Sequence, residues 1–301
     1  MNFTPSNATF PFHLHVFCAL APALLGSGLL SNILIIAATC HKCSQLRSKT
    51  NWLICYLAIA DLGACLSSIQ ILVYFWIGWT RWNRVQCFYG ALGQILLVQY
   101  EAYLVFSVAL DRVIMLKAPV WYYTVSTNRY LLATVLGGLV PVSALLVWGY
   151  LSAKESDQLY LCVLPQAFGG SSSVGFSLVT LTLCALVIGC NCCSYSASAA
   201  KVEPSEAPWK KSVDRMHRLH RSIALVSGVF VVTWCLAMVN VLIVNLLQPP
   251  PKMAAYLLYE NGLFAYVNFS INGLIYATRS ADYRKEFRKV LGMKPSQRRE
   301  G

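Results

Sequence analysis

Seven apolar runs, each long enough to cross a lipid bilayer, leave this chain few ways to fold. They cover approximately 14–39, 51–77, 88–116, 129–152, 173–194, 221–247 and 254–277. A hydrocarbon core of about 30 Å takes roughly 20 helical residues. Inside it the backbone must satisfy its own hydrogen bonds, which favours helices. Composition agrees: 57% of the residues are hydrophobic and 12% are charged, against about a quarter charged in soluble domains. The expectation is an all-α membrane protein. A seven-transmembrane helix bundle would occupy 14–277, after an extracellular N-terminus at 1–13 and before a cytoplasmic amphipathic helix and tail at 278–301. The fifth run is the weakest, because Gly169-Gly170-Ser171-Ser172-Ser173 precedes it and Asn191 sits near its end. Pattern alone could turn one run into a re-entrant segment.

Basic residues set the orientation, since Lys and Arg collect on the cytoplasmic side. With the N-terminus outside, all but Arg81, Arg84, Lys154 and Lys252 of the 24 Lys and Arg fall inside or at inner span ends. The net charge of +12 is then a basic inner face beside anionic lipid. Nucleic acid is the rival partner for a basic chain and does not suit one that is mostly membrane. The sequons at Asn2 and Asn7 would be glycosylation sites on the outer side; a third, at Asn268, falls inside a span. The first apolar run starts late, lacks a basic flank and is too long for a cleavable signal, so it would serve as its own.

Of twelve cysteines, only Cys87 and Cys162 fall where oxidation is expected, at the outer start of span three and in the outer loop after span four. A disulfide there would tether the loop over the bundle mouth. Cys190, Cys192 and Cys193 admit three readings: small apolar residues, metal ligands, or acylated thiols.

Charge and amide groups at membrane depth are costly and usually functional. In span three Gln94, Leu97, Glu101, Val105, Val108 and Arg112 recur at three- and four-residue spacing and share one face. Span two adds Asp61, span one Asn32, and span seven Asn268 and Asn272. Around one axis these would make a single polar cluster, read either as a cation or proton site or as one protonated carboxyl hydrogen-bonded to an asparagine. Asp111 and Arg112 close span three at its inner end. Beyond span seven, Tyr283, Phe287 and Val290 form an apolar stripe among Arg284, Lys285, Arg288 and Lys289. That pattern suits an interfacial amphipathic helix or a solvated charged face.

Taken in order, these signatures resemble the rhodopsin-like (class A) G-protein-coupled receptors over essentially the whole chain. They are Asn32; Leu57-Ala58-Ile59-Ala60-Asp61; Cys87; Asp111-Arg112-Val113; Phe230 and Trp234; and Asn272-Gly273-Leu274-Ile275-Tyr276. The segment Tyr276-Ala277-Thr278-Arg279-Ser280-Ala281-Asp282-Tyr283-Arg284-Lys285-Glu286-Phe287 resembles the end of nematode serpentine chemoreceptors of the srsx type. The chain departs from the family pattern at several places. Val113 stands for tyrosine, Gly273 and Leu236 for prolines, and Glu101 for a small hydroxyl; the mid-helix tryptophan of span four and the proline of span five are missing. Fewer prolines mean fewer enforced kinks.

The resemblance implies a receptor that binds an extracellular small molecule or short peptide and activates a heterotrimeric G protein. Asp111, Arg112, Phe230, Trp234, Asn272 and Tyr276 would act as the switch, with Asp111 holding Arg112 at rest. The ligand pocket would include Gln94, Val98, Trp234, Met238 and Tyr266, each equally readable as interhelical packing. No cofactor is implied beyond a bound sodium ion at Asn32, Asp61, Glu101, Asn268 and Asn272. Gln94 replaces the aspartate of amine receptors, and span seven has no lysine for a retinal Schiff base. A cation- or proton-coupled transporter could use the same two acids, but no inverted repeat supports it. An enzyme is not expected: His13, His15, His41, His217 and His220 lie at or outside span ends, and no catalytic set appears at depth.

Overall fold

A computed structural model of the chain describes residues 12–41, 44–77, 82–159, 162–199 and 207–293. Asn2, Asn7 and the end of the tail lie outside them. The long helices are α1 (Phe12–Cys40), α2 (Lys49–Trp76), α3 (Arg84–Lys117), α5 (Thr127–Ser152), α7 (Ser171–Ala199), α8 (Ala207–Leu247) and α9 (Pro251–Arg279). Short pieces join them: α4 (Pro119–Thr124), α6 (Leu164–Ala167), and β1 (Trp82–Asn83) paired antiparallel with β2 (Gln158–Leu159). Helix α10 (Ala281–Val290) follows α9.

Among the described residues, six long helices are apolar enough to cross a membrane on composition alone. The seventh, α9, is diluted by Glu260, Asn261, Asn268 and Asn272. Its asparagines at 261, 268 and 272 are buried, so their polarity faces protein rather than lipid, as membrane-depth polar groups must. The fifth run, uncertain from sequence, is an unbroken helix of 29 residues.

Packing is a ring around α3. Helix α1 lies on α2 and α9, α8 lies between α7 and α9, and α3 touches α2, α5, α7 and α8. Two cores fill it. One, from Phe17 to Phe168 and Trp234, occupies the half nearer the disulfide; the other gathers Ile35, Leu53, Tyr122, Tyr130, Tyr276, Tyr283 and Phe287 at the opposite end. Leu30, Leu132, Leu151, Val232 and Leu274 stay exposed, as helices that meet lipid would leave them.

Local chemistry sets the helix ends. Asn83 caps α3 in a reciprocal box: its Oδ1 accepts from Gln86 N at 2.8 Å, and Gln86 Oε1 accepts from Asn83 N at 3.2 Å. Span three therefore starts at Arg84, earlier than apolarity indicates. Ser280 caps α10, with Asp282 in its first turn and Arg288 and Lys289 in its last, matching the helix dipole. The apolar stripe of α10 does not face outward. Tyr283 and Phe287 are buried in the second core, Tyr283 stacks on Tyr276 at 4.8 Å, and the arginines and lysines take the outer side.

Gly273, where the family carries proline, has a packing role. A β-carbon there would lie 2.4 Å from Ser31 Cβ and 3.0 Å from Ser31 Cα, the latter backbone. Ser31 Oγ also reaches the Ser270 carbonyl at 3.3 Å. Close approach through small residues is how helices associate in lipid, where hydrophobic burial offers no drive. Gly273→Val should force α1 away from α9 and cost about 1–3 kcal/mol of overpacking. Thermal unfolding of purified protein, with surface expression, reads this; an unchanged midpoint would contradict the close contact.

Candidate functional site

Three layers of polar chemistry lie along the axis of the bundle. The first is a cavity at the disulfide end. Cys87 and Cys162 are bonded, with Cα atoms 5.4 Å apart across 75 residues. Constraining a loop of that length stabilises by about 4 kcal/mol on chain-entropy grounds. Arg84 adds a second tether: its Nε pairs with Asp157 Oδ2 at 2.8 Å, and its Nη1 donates to the carbonyls of Gln166 and Phe168, each at 2.7 Å. The loop so held carries Val163, Leu164 and Pro165 over a space of about 760 Å³, open mouth included. Gln94, Val98, Trp234, Met238 and Tyr266 all line it.

The cavity wall is apolar and aromatic with a few polar groups, the usual make-up of a small-molecule site. Among the described residues, no lining residue is Asp, Glu, Lys, Arg or His. Three lining residues from three helices carry a buried polar atom with no partner: Gln94 Oε1 on α3, Trp234 Nε1 on α8 and Asn261 Nδ2 on α9. Gln94 Nε2 is held by Ser68 Oγ at 3.0 Å, and Asn261 Oδ1 accepts from Asn240 at 3.1 Å, which fixes the orientation of both amides. Asn261 was not evident from sequence; its place one helical turn and more from Tyr266, toward the same mouth, was the available signal.

The second layer lies deeper. Asn272 Nδ2 donates to Asp61 Oδ2 at 2.7 Å, Asn268 donates to Glu101 Oε1, and Asn32 Nδ2 donates to the Phe269 carbonyl at 2.8 Å. All five predicted residues are thus at one level, and all are buried. Asp61 and Glu101 approach within hydrogen-bonding reach of each other. The oxygens that the asparagines do not bond, Asp61 Oδ1 and Glu101 Oε2, lack a donor, as do Asn32 Oδ1 and Asn272 Oδ1. Four unpartnered oxygens on four residues suit a hard cation, which takes oxygen ligands, or a proton shared by the two acids.

The third layer is at the opposite end. Asp111 and Arg112 form a long ion pair, Arg112 Nε to Asp111 Oδ2 at 4.0 Å. Adjacent residues on a helix point in different directions, and Asp111 also accepts from three hydroxyls, Tyr122 at 3.0 Å and Tyr130 at 2.9 Å on Oδ1, and Thr50 on Oδ2. Arg112 Nε and Nη2 are buried without a hydrogen-bond acceptor. Lys49 completes the group. Its Nζ donates to the Tyr122 and Val125 carbonyls and lies 4.5 Å above the Tyr122 ring, a cation–π contact. Phe230 packs on Trp234 of the cavity wall with ring centroids 6.3 Å apart, and Tyr276 is buried beside Tyr283. Outside the spans, burial pushes the Tyr283 phenol well above its ordinary range.

A profile of the serpentine-type 7TM GPCR chemoreceptors, Srsx, matches residues 26–291. The chain belongs to this family. Among curated proteins the receptor is similar to the adenosine receptor A2b of Bos taurus, 24% identical with 92% of this chain and 89% of that one aligned. It is likewise similar to galanin receptor type 2 of Homo sapiens, 26% identical over 87% of this chain and 69% of that one. The alpha-1A adrenergic receptor of Mus musculus is 23% identical over 91% and 67%. The protein is therefore a multi-pass membrane receptor of the G-protein-coupled class, chemosensory by family. Thr50, Tyr122, Tyr130 and Lys49, which clamp the end of α3 in this receptor, belong to no motif read from the sequence.

Proposed function

We propose that the receptor is activated by an uncharged small molecule that enters from outside the cell, and that it transmits this to a heterotrimeric G protein at the Arg112 end. The observation that carries the ligand class is the cavity. Its described lining residues include no charged side chain, yet Gln94, Trp234 and Asn261 each present an unpartnered polar atom. A buried unsatisfied donor or acceptor costs about 1–3 kcal/mol, so a ligand that pairs them gains affinity and orientation together. It would offer one donor to Gln94 Oε1 and acceptors to Asn261 Nδ2 and Trp234 Nε1. A charged amine or carboxylate would be desolvated there without a counter-ion. The curated relatives are named for adenosine, galanin and adrenergic ligands, chemistries too diverse to choose among.

An N-terminus outside the cell is supported by the basic bias and by the disulfide, since such bonds persist in oxidising compartments. An N-terminal epitope on intact cells tests this. Helix α10 would hold its basic side against anionic lipid, and the second layer would hold a sodium ion or a proton in the resting state.

The testing experiment is a screen of neutral and charged odorant-sized molecules with a G-protein readout. Neutral compounds should dominate the hits. For a neutral agonist, Gln94→Glu should weaken potency at least about tenfold, the equivalent of about 1.4 kcal/mol, at matched surface expression. Hits that are mostly amines or carboxylates, or that respond equally in the variant, would defeat this reading.

A further inference from the structure

Helix α7 carries an exposed stripe from Leu178 to its last turns. Leu178, Val179, Leu186 and Ile188 are on it, and its last turns bring Cys192 and Cys193 to the same side, both exposed. Tyr195, 72% exposed, follows them. On a helix that crosses a bilayer, such a stripe meets lipid, and an aromatic with a polar tip marks its edge. The depth can be counted. At about 1.5 Å per residue, roughly 31 Å of helix separates Ser171 from Cys192, close to the about 30 Å of a hydrocarbon core. Ser171 starts α7 at the disulfide end, next to the Gly169 carbonyl that Ser172 uses and near Arg84. The two thiols therefore stand where α7 leaves the bilayer on the side away from the disulfide. If the disulfide marks the oxidising side, that end faces the cytosol, where thiols stay reduced.

Other fates of these thiols fit less well. Cys190 is half-buried rather than on the stripe. Among the described residues, no three His, Cys, Asp or Glu side chains stand together in a way that could hold a metal ion. Core packing does not account for two neighbouring exposed thiols. Helix α10, also at this end, has no cysteine to modify.

We propose that Cys192 and Cys193 are S-acylated, with long-chain acyl-CoA as the donor. The Cys sulfur attacks the thioester carbonyl, a new S–C bond forms, the bond to the coenzyme A sulfur breaks, and that sulfur leaves with the cysteine's proton. No oxidant or reductant is consumed. The product is a thioester whose chain continues the lipid-facing stripe into the inner leaflet. Each buried CH₂ favours the membrane by about 0.8 kcal/mol, so the acyl chains would hold the end of α7 at the interface beside α8. The proposal rests on the orientation given above, which the N-terminal epitope reads separately.

Acyl–PEG exchange on the full-length receptor, purified from the surface of animal cells, counts the thioesters. Free thiols are blocked, hydroxylamine cleaves the thioesters, and each newly freed thiol adds one PEG shift. Two hydroxylamine-dependent shifts are expected for the parent, one for Cys192→Ser or Cys193→Ser, and none for the double variant. Both positions are exposed, so serine leaves the core intact, and surface expression checks folding. No hydroxylamine-dependent shift in the parent would overturn the proposal. So would a shift that persists in the double variant and vanishes on adding Cys40→Ser, because the modified thiol would then be the exposed Cys40.

Discussion

Arg112→Ala should abolish G-protein activation while leaving ligand affinity largely intact. The guanidinium lies at the end of the bundle remote from the cavity, beside Met115, whose sulfur it meets at 3.8 Å. Its Nε and Nη2 have no acceptor although Arg112 is only 4% exposed. A buried charge without full hydrogen bonding is a cost that a new acceptor would relieve. A partner supplying carbonyl or carboxylate oxygens would gain roughly 1.5–3 kcal/mol for each charge-assisted bond, equivalent to about ten- to a hundredfold in coupling. The fold should tolerate the loss, because Asp111 keeps its three hydroxyl donors from Thr50, Tyr122 and Tyr130. Ligand binding and G-protein activation, measured on the same membranes at matched surface density, separate the two effects. Normal activation would show that Arg112 is not the coupling contact.

The layout of these residues shows which physical signals a sequence carries. Gln94 and Glu101 share a face because helical periodicity is geometry, and that face does border the cavity and the polar layer. Asp61, Asn268 and Asn272 stood out because polar groups in an apolar run must face protein. The clamp on Asp111 had no such signature. Tyr122 and Tyr130 come from α4 and the start of α5, and their aromatic rings look like interface residues until the turn folds back on α3. Lys49 reads as one more cytoplasmic lysine; only tertiary structure places its ammonium over Tyr122 and against two carbonyls. The resemblance pairs Asp111 with Arg112, and the ion pair is there at 4.0 Å, but it gives no hint of the three hydroxyls that also hold Asp111. The stripe of α10 was correct in periodicity and ambiguous in direction, since an apolar face fits a bundle as well as a bilayer.

Glu101→Gln should uncouple ligand affinity from sodium concentration and pH. The two carboxyls of the middle layer cannot both be ionised in a low-dielectric interior without compensation. Asn272 and Asn268 each satisfy one oxygen, leaving Asp61 Oδ1 and Glu101 Oε2 without a donor and with the two acids in reach of one another. A cation or a proton between them would supply what is missing. These groups come from α2, α3 and α9, with Asn32 of α1 at their side, so a shift of α3 or α9 changes the number of oxygens that converge. Whatever ion or proton prefers the resting arrangement must then oppose agonist, and agonist must oppose it by the same factor, because coupling between binding sites is reciprocal. Glutamine keeps the size of Glu101 and removes the second charge. Its amide nitrogen can donate to Asp61 Oδ1, satisfying that oxygen in every state. The parent should lose agonist affinity as sodium rises or pH falls, by about 5–150-fold if the coupling is of typical size. The variant should lose most of that dependence and gain basal activity, since the resting state no longer has an ion to stabilise it. Agonist affinity and basal G-protein turnover across a sodium and pH grid measure both. The same dependence in parent and variant, at matched surface expression, would leave Glu101 a packing residue.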